Sequence, residues 1–296
     1  MVRRYSGAMY AITGITGNVG GAMARALLAA GKSVRAVVRD VAKGRAWAEQ
    51  GCGFVLAEME DAGALTAAFA GVDAVFVLPP PEFDPSRGFP EGRAAIAAVK
   101  KALEAAEVRK VVCLSTIGAQ ATQTNLLTLR TLMERALGEL AIPATFLRPA
   151  WFMENFAWDV PSARDRGVIA SYLQPLDKPV PMVATADVGR VAAELIQQDW
   201  TGHRVVELEA ARRSTPNEIG AAFAKRLGRP VRVEAVPRET WEALFRLQGM
   251  KNPEPRIRML DGFNEGWIEF ESGQAGSVKG SVTLETVLDG LLAPRM

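Results

Sequence analysis

Short apolar runs of β-branched and aromatic residues alternate with longer stretches of helical period through the first half of the chain. This pattern predicts strands at residues 10–13, 33–38, 54–56, 74–78, 110–114 and 144–147, and helices at 18–30, 41–50, 62–69, 92–106 and 125–140. The runs AVFVL at 74–78 and VVCL at 111–114 are apolar throughout, as strands covered on both faces are. Repeated βαβ units imply an α/β fold, a Rossmann-type doubly wound parallel sheet with helices on both faces.

Beyond Pro149 the alternation loosens. Helices are predicted at 185–198, 215–227, 238–248, 255–265 and 284–292, with short strands at 181–184, 205–208 and 231–236. The second of these helices has a clear mechanism: Thr215 can cap, Pro216 suits the first helical position, and Glu218 completes a capping box. No Pro/Gly-rich linker separates the halves. Residues 151–296 are therefore expected to form a smaller α/β substrate-binding region packed on the C-terminal edge of the sheet, and not an independent domain.

Charge narrows the partners. The chain of 296 residues carries 35 Lys+Arg against 33 Asp+Glu, a net of +2, so neither nucleic acid nor an anionic membrane surface is an expected partner. The two cysteines, Cys52 and Cys113, lie in apolar stretches without metal-ligand spacing, and the single histidine, His203, excludes a multi-histidine metal site. No metal is expected. No apolar run reaches the roughly 20 residues that cross a bilayer, and the start lacks a signal-peptide core. A soluble cytoplasmic location is expected.

The stretch YAITGITGNVGG at 10–21 places Gly14, Gly17 and Gly20 between an apolar strand and an Ala-rich helix. In that context the first glycine permits a tight turn, the second lets backbone approach a pyrophosphate, and the third allows close packing of helix on strand. The helix N-terminus adds unpaired N–H groups and a positive dipole end. Thr16, Asn18 and Val19 complete the expected phosphate loop. The second strand ends at Arg39, where a planar guanidinium suits the 2′-phosphate of NADP(H); Lys43 and Arg45 follow. Asp40 is adjacent, and turned inward it would instead favour the ribose of NAD(H). NADP(H) is the expected cofactor, with NAD(H) left open.

ITGITGNVG at 12–20, AVVR at 36–39, LRPAWFMEN at 147–155 and DVGRVA at 187–192 together resemble the NmrA-like family of atypical short-chain dehydrogenase/reductases. The resemblance covers nearly the whole chain and starts the fold near Met9, making residues 1–8 an N-terminal extension, 9–150 the NAD(P)-binding part and 151–296 the substrate-binding part. It implies that Glu58 and Met59 border the adenine and that Leu78 and Pro79 line the ribose nearer the nicotinamide. Ser115, Pro149, Trp151 and Phe152 would surround the nicotinamide and acceptor, with Asn155 closing the same segment. Trp151 and Phe152 read equally as ordinary core residues.

Ordinary short-chain dehydrogenases carry Tyr-x-x-x-Lys on the helix after the fifth strand, the phenol handling the substrate proton. In register with Glu134, those positions here are Leu126 and Arg130. Arg130 can still hold the ribose and reads equally as a surface arginine, but Leu126 transfers no proton. Ser115 is the remaining weak catalytic candidate. Quinones and dyes take hydride to give delocalised anions that water protonates, so a tyrosine-less site suits a small aromatic acceptor, similar to the quinone and triphenylmethane-dye reductases of the family. Phe83, Phe89, Trp151, Phe152, Phe156 and Trp158 offer apolar surface for it. Two other readings stand beside this one: a non-catalytic sensor of cofactor redox state acting through a protein partner, and an epimerase or dehydratase, which the missing tyrosine disfavours. A homo-oligomer is compatible with all three.

Overall fold

The computed structural model describes residues 7–293. Within the expected extension 1–8, residues 1–6 lie outside the described residues. Among the described residues, twelve strands and twelve α-helices follow one another. The strands are β1 (Met9–Ile12), β2 (Ser33–Val38), β3 (Gly53–Leu56), β4 (Ala74–Val77), β5 (Val111–Leu114), β6 (Ala144–Pro149), β7 (Trp151–Phe152), β8 (Val168–Ser171), β9 (Met182–Val183), β10 (His203–Ala210), β11 (Arg232–Ala235) and β12 (Val278–Gly280). The helices of the first half are α1 (Asn18–Ala29), α2 (Val41–Glu49), α3 (Ala62–Phe69), α4 (Pro90–Ala105) and α5 (Thr128–Leu137). Those of the second are α6 (Val160–Arg166), α7 (Thr185–Gln197), α8 (Pro216–Leu227), α9 (Trp241–Leu247), α10 (Glu254–Glu265), α11 (Gly273–Gly276) and α12 (Leu284–Leu292).

Eight strands form one parallel sheet in the order β12-β10-β6-β5-β4-β1-β2-β3. Strand order reverses between β1 and β4, which is the switch point where open α/β sheets open a crevice at their C-terminal ends. Ile12, Phe76 and Leu147 face one hydrophobic core with Met23 and Val188, while Val75, Val77 and Cys113 face the other with Phe69, Leu103 and Met133. Helices therefore cover both faces, as the uninterrupted apolar strands require.

The sheet does not end where residue 150 does. Strand β10 pairs along β6 from His203↔Ala144 to Leu208↔Pro149, and β12 extends that edge from Leu208↔Val278. The second half thus contributes two strands to the main sheet, a closer union than packing on its edge. It also supplies α7, which docks on α1 at Gly189: a Cβ there would meet Ala22 Cβ at 2.5 Å and Met23 N at 2.7 Å. Smaller parallel pairs, β7–β9 and β8–β11, lie beyond the sheet's C-terminal edge.

Two sequence expectations shift locally. The helix expected from 125 begins at Thr128, because the Asn125 side chain accepts the Leu127 N–H at 2.7 Å and holds a turn there. The strand expected at 144–147 runs to Pro149, since β10 continues the ladder.

Candidate functional site

Three elements converge on the glycine turn. Thr13 anchors it: its hydroxyl accepts the Leu78 N–H at 2.7 Å, tying the end of β1 to the end of β4. Gly14 adopts φ +64, and a Cβ there would strike the Leu78 side chain at 2.9 Å. At Gly20 a Cβ would lie 2.4 Å from Gly14 O and 2.8 Å from Ile15 Cα, so the turn and α1 touch through backbone alone. Gly17 differs. Its φ of −90 suits any residue, and a Cβ would meet nothing nearer than Gly14 O at 3.5 Å. The protein's own packing requires two of the three glycines, whereas the third faces open space. Gly17 is also the N-cap of α1 and offers no side-chain cap, which leaves the first-turn N–H groups available to an anion.

A groove of about 350 Å³ runs from this turn between α1 and α2, lined by Thr16, Gly17, Asn18, Arg25, Lys43 and Trp47. The Arg25 guanidinium sits 6.0 Å over the Trp47 ring. Arg25 was not legible as a site residue, because only the side-by-side packing of α1 and α2 brings it there. Asp40 caps α2 by accepting the Lys43 N–H at 2.9 Å through one of its two oxygens. Arg39 is exposed and lies 3.9 Å from Glu58, also exposed, while Met59 beside it is buried.

At the C-terminal ends of β5 and β6, Ser115 is buried and its hydroxyl donates to Glu134. Glu134 in turn accepts two bonds from Arg148, at 2.8 and 2.7 Å, and Arg148 also reaches Glu271 at 2.8 Å. Burial alone would lower the Arg148 pKa, but the bonds to Glu134 and Glu271 outweigh it and raise it. The Ser115 proton is therefore committed, and the oxygen presents lone pairs to anything beside it. Arg130 donates to Pro79 O at 3.4 Å, and its Nη1 is buried without a partner. Burial lowers its pKa. An orphaned guanidinium nitrogen beside the loop after β4 fits a sugar or phosphate oxygen. Pro149 is buried at the end of β6. Leu126 lies in the turn before α5, where its N–H donates to Pro255 O at 2.8 Å.

Farther out, Trp151 and Phe152 are half-buried on β7, and Trp151 meets Phe263 edge-on at 5.2 Å between ring centroids. The Trp151 indole N–H is buried with no acceptor. Asn155 is exposed, and Phe83 stands 65% exposed on the loop after β4. The other aromatics expected there separate: Phe89 and Phe156 pack into the cores and Trp158 is exposed. Glu154 has a task its sequence did not announce, accepting the Thr185 N–H at 2.9 and 3.0 Å and the Thr185 hydroxyl at 2.6 Å. It caps α7 from across the fold. Asp187 likewise binds Val282 N–H at 2.7 Å, holding the link from β12 to α12.

These features, a turn whose one unforced glycine opens beside a helix N-terminus at a topological switch point, accompany a family match over most of the chain. The sequence pattern of the NmrA-like family matches residues 8–269. The chain belongs to the NmrA-like family. Within it, the chain is 28% identical over 244 residues to quinone oxidoreductase 2 of Escherichia coli, covering 82% of each. It is 28% identical over 260 residues to an NAD(P)H azoreductase of Xenophilus azovorans, covering 87% of this chain and 85% of the relative. The crystal structure of the Escherichia coli NADPH-dependent quinone oxidoreductase QOR2 complexed with NADPH superposes with a TM-score of 0.79 at 25% identity, covering 96% of this chain and all of that one. Among the described residues no cluster of His, Cys, Asp and Glu could hold a metal, and no helix is long and apolar enough to cross a membrane.

Proposed function

We propose that the protein is an NADPH-dependent oxidoreductase that reduces a flat aromatic acceptor of the quinone or dye class without a Tyr-x-x-x-Lys relay. The observation that carries this reading is the cradle at Gly17, which the protein's packing leaves open beside unpaired helix N–H groups. The names of the relatives, a quinone oxidoreductase and an azoreductase, support the same class of reaction.

The backbone from Gly14 to Gly20, with Thr16, Asn18 and Val19, would hold the pyrophosphate. Arg39, with Lys43 behind it, would take the 2′-phosphate, a role Asp40 does not oppose while it caps α2. Glu58 and Met59 would border the adenine, Leu78, Pro79 and Arg130 the second ribose, and Ser115 and Pro149 the nicotinamide. Bound there, NADPH would supply the hydride. Ser115, its proton held by Glu134, acts as an acceptor that fixes orientation and does not protonate the product. Trp151 and Phe152 give the acceptor an apolar wall, with Asn155 and Phe83 at its margin. The chain's contribution is then position, and the proton comes from water.

Calorimetric titration of NADPH, NADP⁺ and NADH, beside NADPH oxidation against quinones and dyes, tests this reading. It predicts tighter binding of the phosphorylated cofactors and turnover with at least one quinone. Tight binding with no turnover on the whole panel would instead favour the cofactor sensor, and absence of binding would overturn both.

A further inference from the structure

Arg256, at the start of α10, is half-buried with no carboxylate in ion-pair distance among the described residues, and its polar contact is the thioether sulfur of Met250 at 3.8 Å. Two other half-buried arginines without an acid are better served: Arg35 donates to the carbonyls of Ala68 and Ala70, and Arg204 to Thr145 and Gln198. Arg130, whose Nη1 is also unpaired, already faces the proposed cofactor ribose. The neighbouring cations are also occupied: Arg238 and Arg258 bind Asp261, and Lys178 donates to the carbonyls of Phe263 and Asn264. Arg256 instead lies flat over Phe245, 4.4 Å from the ring centroid. Most of its five N–H donors have no protein acceptor. Burial without an anion lowers its pKa, with the Tyr172 phenol the one ionisable group acting in the other direction.

The segment carrying Arg256 touches three of the elements around the proposed acceptor space. Pro255, the preceding residue, accepts the N–H of Leu126, the position of the missing tyrosine, at 2.8 Å. Phe263, on the same helix, meets Trp151. Just upstream, the N–H groups of Lys251 and Asn252 hold Asp84 of the loop after β4 at 2.8 and 2.7 Å. A cation left unpaired at such a place is desolvated at a cost that an anionic ligand removes. We propose that Arg256 is a specificity-determining residue of the acceptor site, and that the acceptor carries an anionic oxygen group (carboxylate, sulfonate or phosphate) on its aromatic frame. This rests on the oxidoreductase reading for the acceptor's identity as a hydride-accepting ring. A planar fork that donates two parallel bonds suits all three groups.

The test uses a sulfonated naphthoquinone, its uncharged methyl analogue and a cationic triphenylmethane dye. Wild type is expected to favour the sulfonate over the methyl analogue by at least about tenfold in kcat/KM, mainly through KM, and to disfavour the cationic dye. In Arg256→Met the two quinones converge, in Arg256→Lys part of the preference returns, and the NADPH dissociation constant stays within about twofold. Calorimetry of the sulfonated quinone with NADP⁺ present reads the same site without turnover, and its affinity is expected to fall about tenfold in Arg256→Met. A wild-type preference for the neutral or cationic acceptor, or an unchanged ratio in Arg256→Met, overturns the proposal. If that variant fails to fold, the wild-type preference alone decides. If no acceptor supports NADPH oxidation, the oxidoreductase reading falls, and the titration still judges Arg256 by itself.

Discussion

Gly17→Ala and Gly20→Ala add the same methyl group three residues apart, and the account predicts opposite consequences. At Gly20 the new Cβ would lie 2.4 Å from Gly14 O and 2.8 Å from Ile15 Cα, both backbone atoms that cannot rotate away. Overpacking of this kind costs roughly 1–3 kcal/mol, so Tm should drop by roughly 2–10 °C. At Gly17 the nearest atom is 3.5 Å away and φ is −90, so the methyl fits. Losing glycine's tolerance at a cap costs a few tenths to about 1 kcal/mol, while the stiffer unfolded chain returns about as much. Tm should therefore barely move. The methyl does occupy the cradle, and losing one charge-assisted contact to phosphate costs about 1.5–3 kcal/mol, or roughly 10- to 100-fold in affinity. Differential scanning calorimetry and NADPH titration on both variants read the two effects separately. A Gly17→Ala protein that melts normally and still binds NADPH at wild-type affinity would refute the assignment of the cradle.

Arg39→Ala should weaken NADPH by about 10- to 100-fold and leave NADH little changed by titration, whereas equal weakening of both would make Arg39 structural. Glu154→Ala uncaps α7 and should lower stability by about 2 kcal/mol in denaturant melts, with NADPH affinity in the folded protein retained. Burial pushes the Asp159 carboxyl up to about 6, above its usual value near 4, so the folded state favours the protonated form. The stability this contributes is present below about pH 4 and lost as pH rises through about 6; Asp159→Asn should then raise Tm near pH 7, by at most about 3 kcal/mol of stability, and leave it unchanged near pH 4. An equal effect at both pH values would show that the carboxyl is not titrating in this range.

The fold was legible where it depended on local pattern. Strands β1 to β6 lie within one or two residues of their predicted positions, because buried parallel strands read as short apolar runs. The edge formed by β10 and β12 was not legible in the same way. Glu207 and Glu209 interrupt β10, yet both are buried, since Arg148 and Lys279 approach from distant parts of the chain and Arg213 from the turn just beyond the strand. Such pairing leaves no periodic signal. The site divides along the same line. The glycine turn announced itself by spacing and context, whereas the capping of α2 by Asp40 needed coordinates. The proton of Ser115 and the unpaired state of Arg256 are likewise set by tertiary neighbours, Glu134 in one case and the lack of any acid in the other. Glu154 and Arg148 belong to one of the stretches in which the sequence resembles the family, residues 147–155, and the structure gives both an architectural task.

The most direct test of the central claim is the stoichiometry of one reaction mixture, NADPH oxidised and quinol formed, both followed optically with a soluble quinone under anaerobic conditions. The account predicts one quinol per NADPH, a rate that is saturable in both substrates, and a several-fold fall in that rate in Gly17→Ala at cofactor concentrations near the wild-type KM. NADPH consumed without quinol, or a rate untouched by the methyl at Gly17, would contradict it.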